Sequence, residues 1–170
     1  LAKLLLTIDH ALKTDQLRRE NSQLHRLLPI PTEPIGKTAV MQRLREQIKH
    51  IAQHDTWVWL HGESGSGLNV FARYVHHCSP QRERPFIEVN VAALRSDTAI
   101  QELFGTEQGN TVRYGLLEQA NGGTLFLSDI GDMDMTTQAK LNSALETRSF
   151  QRVGGETPVM LHMRVIAATH

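Results

Sequence analysis

One cysteine, Cys78, stands among 170 residues, so an internal disulfide cannot form and the chain suits a reducing, cytoplasmic compartment. An excess of one charge is also missing. Lys+Arg and Asp+Glu both number 18, which removes the bulk positive field that nucleic-acid binding by this segment would use. No apolar run is long enough to span a bilayer and no stretch reads as a signal peptide, so no membrane partner is expected. Long internal repeats and low-complexity tracts are absent. What is there is ordinary globular composition, 40% hydrophobic and 21% charged, with enough chain for one α/β domain and an appendage. The chain begins at Leu1 rather than Met and stops at His170 just after a strand-like run, which reads as a piece of a longer protein.

Residues 1–28 carry helical periodicity. Leu5, Ile8 and Leu12 are spaced three and four apart, and so are Leu17, Asn21, Leu24 and Leu28. The five-residue step from Leu12 to Leu17 breaks the register, so this is not one clean heptad array. An Asn within a Leu seam fixes register in parallel coiled coils, and a linker helix that dimerises is the expectation. An amphipathic helix packed on its own domain is the alternative. PIPTEP, residues 29–34, is a proline-rich break and the expected boundary to a domain over 35–170.

Past the break, Thr38 to His54 reads as a helix with Met41, Leu44, Ile48 and Ile51 on one face. TWVWLH predicts a strand and Leu68 to Cys78 a helix. FIEVNV predicts a second strand, followed by a helical stretch to Leu103. Tyr114 to Ala120 reads as helical, GGTLFLSD as a third strand, Thr136 to Glu146 as a helix and MRVIAAT as a fourth strand. Continuous apolar strands separated by helices predict a parallel sheet covered on both faces, an αβα three-layer α/β fold.

Between the first strand and the next helix lies GESGSGLN: Gly62, Glu63, Ser64, Gly65, Ser66, Gly67, Leu68 and Asn69. Strand, G-x-x-x-x-G, helix is what a phosphate cradle requires, because glycines let successive N–H groups converge on phosphate oxygens while the helix N-terminus adds partial positive charge. A tight strand-to-helix turn would favour the same glycines. Other candidate features read more plainly. His76, His77 and Cys78 are adjacent on a helix and point about 100° apart, so one ion could hardly take all three, and no metal site is expected. Gly122 and Gly123 are turn glycines, and Arg82 and Arg84 form a solvated basic loop.

With IGKTAVMQRLREQI, GESGSG, ARYVHHCSPQRERPFIEVNVAAL, ELFGTE, GLLEQANGGTLFLSDIGDM, QAKLNSALETRSFQRVGG and RVIAATH in order, the chain resembles the P-loop AAA+ central domain of NtrC-like activators of sigma-54 RNA polymerase over residues 33–170. The shortened segment after ELFGTE resembles NtrX-type response regulators in particular, and residues 1–28 look like the linker that follows a receiver domain. The resemblance implies an ATP site with Ile35 and Gly36 near adenine, Asn90 as the switch asparagine and His170 at the first sensor position. It implies an upstream receiver domain with its sensor kinase, a DNA-binding helix-turn-helix downstream, and self-association as a homodimer or larger assembly.

Three departures qualify that expectation. Leu68 stands where the family's GESGTGKE has the lysine that charges the β- and γ-phosphates. A hydrogen bond to a charged group is worth about 1.5–3 kcal/mol, or one to two decades of affinity. Backbone amides from Gly65 to Leu68 are left to hold ATP or ADP weakly. In GGTLFLSDI, where the family reads GGTLFLDEI, Ser128 replaces the aspartate that organises Mg²⁺ and Asp129 replaces the glutamate that polarises water. Ser128 is a poor ligand for a hard cation, so Mg²⁺ is not expected. A one-residue slip that put Asp129 in the metal role would need a local distortion; the simpler reading is that SDI ends a core strand. Asn90 either faces Asp129 across a gap or caps the next turn. Finally TEQGNTVRYGL leaves no room for the family's GAFTGA loop, which removes the usual contact with sigma-54. The leading expectation is a regulatory, non-hydrolysing AAA+-like module. The alternatives are a working ATPase with substitutes such as Lys37, and a scaffold with no ligand.

Overall fold

A parallel sheet of four strands carries the domain. The computed structural model describes residues 33–170 and, ahead of them, Lys13 alone. The linker helix expected over 1–28 and the start of the proline-rich break otherwise lie outside the described residues. Along the chain run helix α1 (Ala39–Ala52), strand β1 (Val58–His61), α2 (Leu68–His77), β2 (Phe86–Asn90), α3 (Ala99–Phe104), β3 (Thr106–Gln108), β4 (Thr111–Arg113), α4 (Leu116–Ala120), β5 (Thr124–Ser128), α5 (Met135–Thr147), β6 (Ser149–Gln151), β7 (Pro158–Met160) and β8 (Arg164–Thr169). The sheet order is β1-β8-β5-β2, with every neighbouring pair parallel.

Side chains alternate across a strand, so the two central strands feed two cores. Phe126 of β5 and Ile166 and Ala168 of β8 pack with Ile48 and Ala52 of α1 and Ala72 and Val75 of α2. Leu125, Leu127 and Val165 point the other way, onto Leu103, Phe104, Leu117 and Leu141 of α3, α4 and α5. This double cover explains why β5 reads as an unbroken apolar run. β1 departs from the expectation of cover on both faces. Val58 and Leu60 join the first core, while Trp57 and Trp59 are 54% and 73% exposed. On α1 the expected apolar face is buried at Ile48, but Ile51 stays exposed at its margin.

Two small antiparallel hairpins, β3–β4 and β6–β7, were not legible as strands. The first closes through Gly109 and Asn110, with Gly109 at φ 58°, where glycine carries no Cβ penalty. Its base is a backbone-to-backbone crossing, since a Cβ on Gly115 would lie 2.3 Å from the Gly105 nitrogen.

α2 is fixed to the sheet by a polar contact within apolar surroundings. His76 is buried, and its Nδ1 lies 2.9 Å from Thr124 Oγ1 on β5. Burial pushes the imidazole pKa down from 6.5 to about 4. The neutral ring is therefore the folded form, and the unfolded chain takes up the proton first as pH falls. Stability from this residue is complete above pH 6.5 and is lost as pH drops towards 4, by on the order of 3 kcal/mol. A denaturation series across that window should show a steeper loss in the natural chain than in His76→Gln, which keeps a polar group and cannot titrate. Parallel curves would assign the acid sensitivity elsewhere.

Candidate functional site

Because the sheet is parallel, the C-terminal ends of its strands lie along one edge, the place where ligands bind in open α/β sheets. The 62–69 loop follows β1, Asn90 ends β2, Ser128 and Asp129 end β5, and His170 follows β8. The structure thus gathers every sequence-predicted site residue except Ile35 and Gly36 along that edge. These two precede α1, with Ile35 90% exposed and Gly36 set against the Met41 side chain.

The loop turns out of β1 with the Ser66 N–H donating to the Glu63 carbonyl at 3.0 Å. Gly65 and Gly67 sit at φ 82° and 80°, and Gly67 caps α2 in the left-handed conformation. Among the described residues, no backbone hydrogen bond ties the N–H groups of Gly65, Gly67, Leu68 and Asn69. Those donors, at the N-terminus of a ten-residue helix, are what a phosphate group would use. Glu63, Ser64 and Ser66 are exposed around them.

Beneath the donors there is hydrocarbon. Leu68 is half-buried and packs against the core shared by α1 and α2. Its Cδ2 lies 3.1 Å from where a Cβ on Gly62 would stand. The Asn69 side chain turns back to the helix, its Oδ1 accepting from the Val70 N–H at 2.9 Å. Lys37 is exposed ahead of α1, and its carbonyl accepts from Gln42. A triphosphate could use the cradle's amides, but the Leu68 position gives it no cation.

At the strand ends Asn90 is paired in register with Ser128, and its Oδ1 accepts from the Ala93 N–H at 3.3 Å. Its side-chain oxygen is thus spent on the turn rather than on Asp129. β5 ends at Ser128, and Asp129 leaves the strand at φ 55°, ψ 42°, a left-handed conformation that Asp tolerates better than most residues. This backbone reversal aims the carboxylate at β8, where Asp129 Oδ1 lies 3.1 Å from His170 Nε2. A Mg²⁺ shell needs several oxygens, whereas here Ser128 offers a hydroxyl and the Asp129 carboxylate is already engaged.

Sequence reasoning missed the Asp129–His170 pair, because the left-handed turn that forms it has no glycine to announce it. It also missed a clamp on β3–β4. Arg152 donates Nε and Nη2 to the two carboxylate oxygens of Glu118 on α4, each at 2.8 Å, and Nη1 to Glu107 on β3, also at 2.8 Å. These three side chains are only 12–23% exposed. The segment expected to be a truncated loop is a fixed hairpin.

A family model described as the Sigma-54 interaction domain matches residues 34–170. The DNA-binding transcriptional regulator NtrC of Salmonella typhimurium is 43% identical over 144 residues, 82% of this chain and 31% of that protein. The Nif-specific regulatory protein of Azotobacter vinelandii is 39% identical over 161 residues, 92% of this chain and 30% of its own length. Among solved structures, NtrX from Brucella abortus in complex with ADP superposes with a TM-score of 0.79 at 35% identity, covering 98% of this chain and 38% of that one. The chain therefore spans about a third of the length of the curated relatives it matches.

Proposed function

Because the chain belongs to the sigma-54 interaction domain family, we propose that it is a regulatory AAA+-like module that holds ATP or ADP weakly, without Mg²⁺, and does not hydrolyse it. The observation that carries this reading is the Leu68 side chain, half-buried against the core shared by α1 and α2, in a loop whose amides at Gly65, Gly67, Leu68 and Asn69 have no backbone partner among the described residues. The amides give the phosphates a seat. The missing cation leaves the γ-phosphate without the charge that phosphoryl transfer relies on. That an NtrX structure was solved with ADP supports nucleotide as the ligand class for this fold.

In the whole regulator this module passes the state of an upstream receiver, set by a sensor kinase, to a downstream helix-turn-helix through self-association. A dimer then supplies the two-fold symmetry that paired half-sites on DNA require. Sigma-54 is not contacted in the usual way, because the β3–β4 hairpin closes in two residues and is held down by Arg152. One observation favours a second reading, a working ATPase: a carboxylate, Asp129, is held by His170 where the neighbouring strands β5 and β8 end.

Calorimetric titration of ATP with and without Mg²⁺ tests the proposal. The same weak affinity is expected in both, since the strand ends lack a metal-binding carboxylate pair. A Mg²⁺-dependent tightening of about tenfold or more, worth about 1.4 kcal/mol, would mean that Asp129 serves the ion after all.

A further inference from the structure

The three strands nearest the loop end nearly level. His61 of β1 pairs with Thr169 of β8, and Leu127 of β5 pairs with Ala167 of β8. Neighbouring strands lie about 4.8 Å apart, which puts the end of β5 about 10 Å from the point where the loop leaves β1. The turn after β5 leans back over β8. A Cβ on Gly131 would lie 3.8 Å from Thr169 Oγ1, and the Asp129 carboxylate reaches His170. Since β8 is the one sheet neighbour of β1, a ligand seated on the loop amides has these strand ends beside it.

That edge carries carboxylates and no permanent cation. Residues 62–67, 129–134 and 170 follow β1, β5 and β8, and they include Glu63, Asp129 and Asp132 but no lysine or arginine. Glu63 and Asp132 are exposed. Asp129 has His170 beside it, whose Nε2 is spent on that carboxylate. Arg95, in the turn after β2, is held by Asp97 and belongs to the strand farthest from the loop. In P-loops generally the amides cradle the α- and β-phosphates, while the lysine reaches the β- and γ-phosphates. Here the amides are in place and the lysine is not. A γ-phosphate would extend beyond the seat with no cation to meet it and with carboxylates on the strand ends alongside.

Resting on the nucleotide reading above, we propose that the site selects nucleoside diphosphate over nucleoside triphosphate, with Asp129 as the residue that sets the preference. The amides of Gly65, Gly67, Leu68 and Asn69 serve both ligands alike, and only the terminal group of the triphosphate adds charge within the field of the carboxylate. Like charges about 10 Å apart at a protein–water boundary repel enough to cost about five- to tenfold in affinity. The occupied state of the module then follows a rise in nucleoside diphosphate, the reverse of a site built to take up triphosphate.

Calorimetric titrations of ADP and of ATP, each in EDTA, compare the two ligands on the natural chain and on two variants. The natural chain should bind ADP about five- to tenfold more tightly than ATP. Asp129→Asn removes the charge, and asparagine keeps the left-handed backbone that position 129 adopts. In that variant the two affinities should come within about twofold. Leu68→Lys should reverse the order, because its ammonium reaches the γ-phosphate. The preference should also shrink as salt rises from about 0.02 M to about 0.5 M, which brings the screening length below the distance across β8. ATP bound as tightly as ADP by the natural chain, or a preference undiminished in Asp129→Asn, overturns the selectivity and leaves the nucleotide seat standing. Binding of neither nucleotide would overturn the seat itself, and the selectivity with it.

Discussion

ATP should bind the triple variant Leu68→Lys, Ser128→Asp, Asp129→Glu about ten- to a hundredfold more tightly than the natural chain, and its affinity should become Mg²⁺-dependent. The cradle in this chain keeps its backbone donors and its left-handed glycines. What it lacks is a cation, and Leu68 stands at the first turn of α2 where one would reach the phosphates. A lysine there has a stem long enough to cover the apolar surface that Leu68 now covers while its ammonium reaches the ligand. The aspartate at 128 continues from a strand already in register with Asn90, so it needs no backbone change. Position 129 is harder. It sits at φ 55°, and a glutamate tolerates the left-handed region less well than the aspartate it replaces. The metal effect should therefore appear with the first two substitutions, and the third should matter for turnover more than for binding. Unchanged affinity in the variant would mean that the free amides do not form a phosphate seat.

Replacing Arg152 by Ala should lower unfolding stability by about 3 kcal/mol, roughly a hundredfold in the folding equilibrium. The guanidinium meets Glu118 with two parallel hydrogen bonds and Glu107 with a third. Glu118, and then Glu107, hold it charged more firmly than a free arginine. With the arginine gone, two half-buried carboxylates face each other across the hairpin base with nothing between them. Arg152→Lys should recover only part of the loss, because an ammonium cannot offer the planar fork. Amide exchange should localise the change, with protection lost first over residues 106–113. A variant within about 0.5 kcal/mol of the natural chain would show the clamp to be surface decoration.

These expectations draw on features of unequal visibility in the sequence. The sheet and its large helices were legible because their signals are local. TLFLS and RVIAAT are continuous apolar runs, and each becomes a strand. Asp134 and Thr38 cap their helices through their own side chains, within three residues of chain. The loop was legible from glycine spacing, and what Leu68 subtracts from it follows from the residue type alone. The hairpin at 106–113 was not legible, since TEQ and TVR are three-residue strands with almost no apolar alternation. Only the Gly109–Asn110 dipeptide marks a turn there. Its stabilising partner, Arg152, lies 45 residues from Glu107 and 34 from Glu118, a distance over which no local pattern operates. Residue type alone leaves Asn90 two roles, and the fold gives its side-chain oxygen to the Ala93 N–H. The Asp129–His170 contact depends on a left-handed aspartate, a choice the backbone makes to leave the strand and one that residue type does not dictate.

The central claim is that the site receives nucleotide but lacks the charges to break it down. Steady-state release of inorganic phosphate from ATP and Mg²⁺, measured beside a Gly67→Val variant whose cradle is blocked, tests this most directly. The account predicts that both proteins stay at the protein-free background. Release by the natural chain that disappears in Gly67→Val would contradict it.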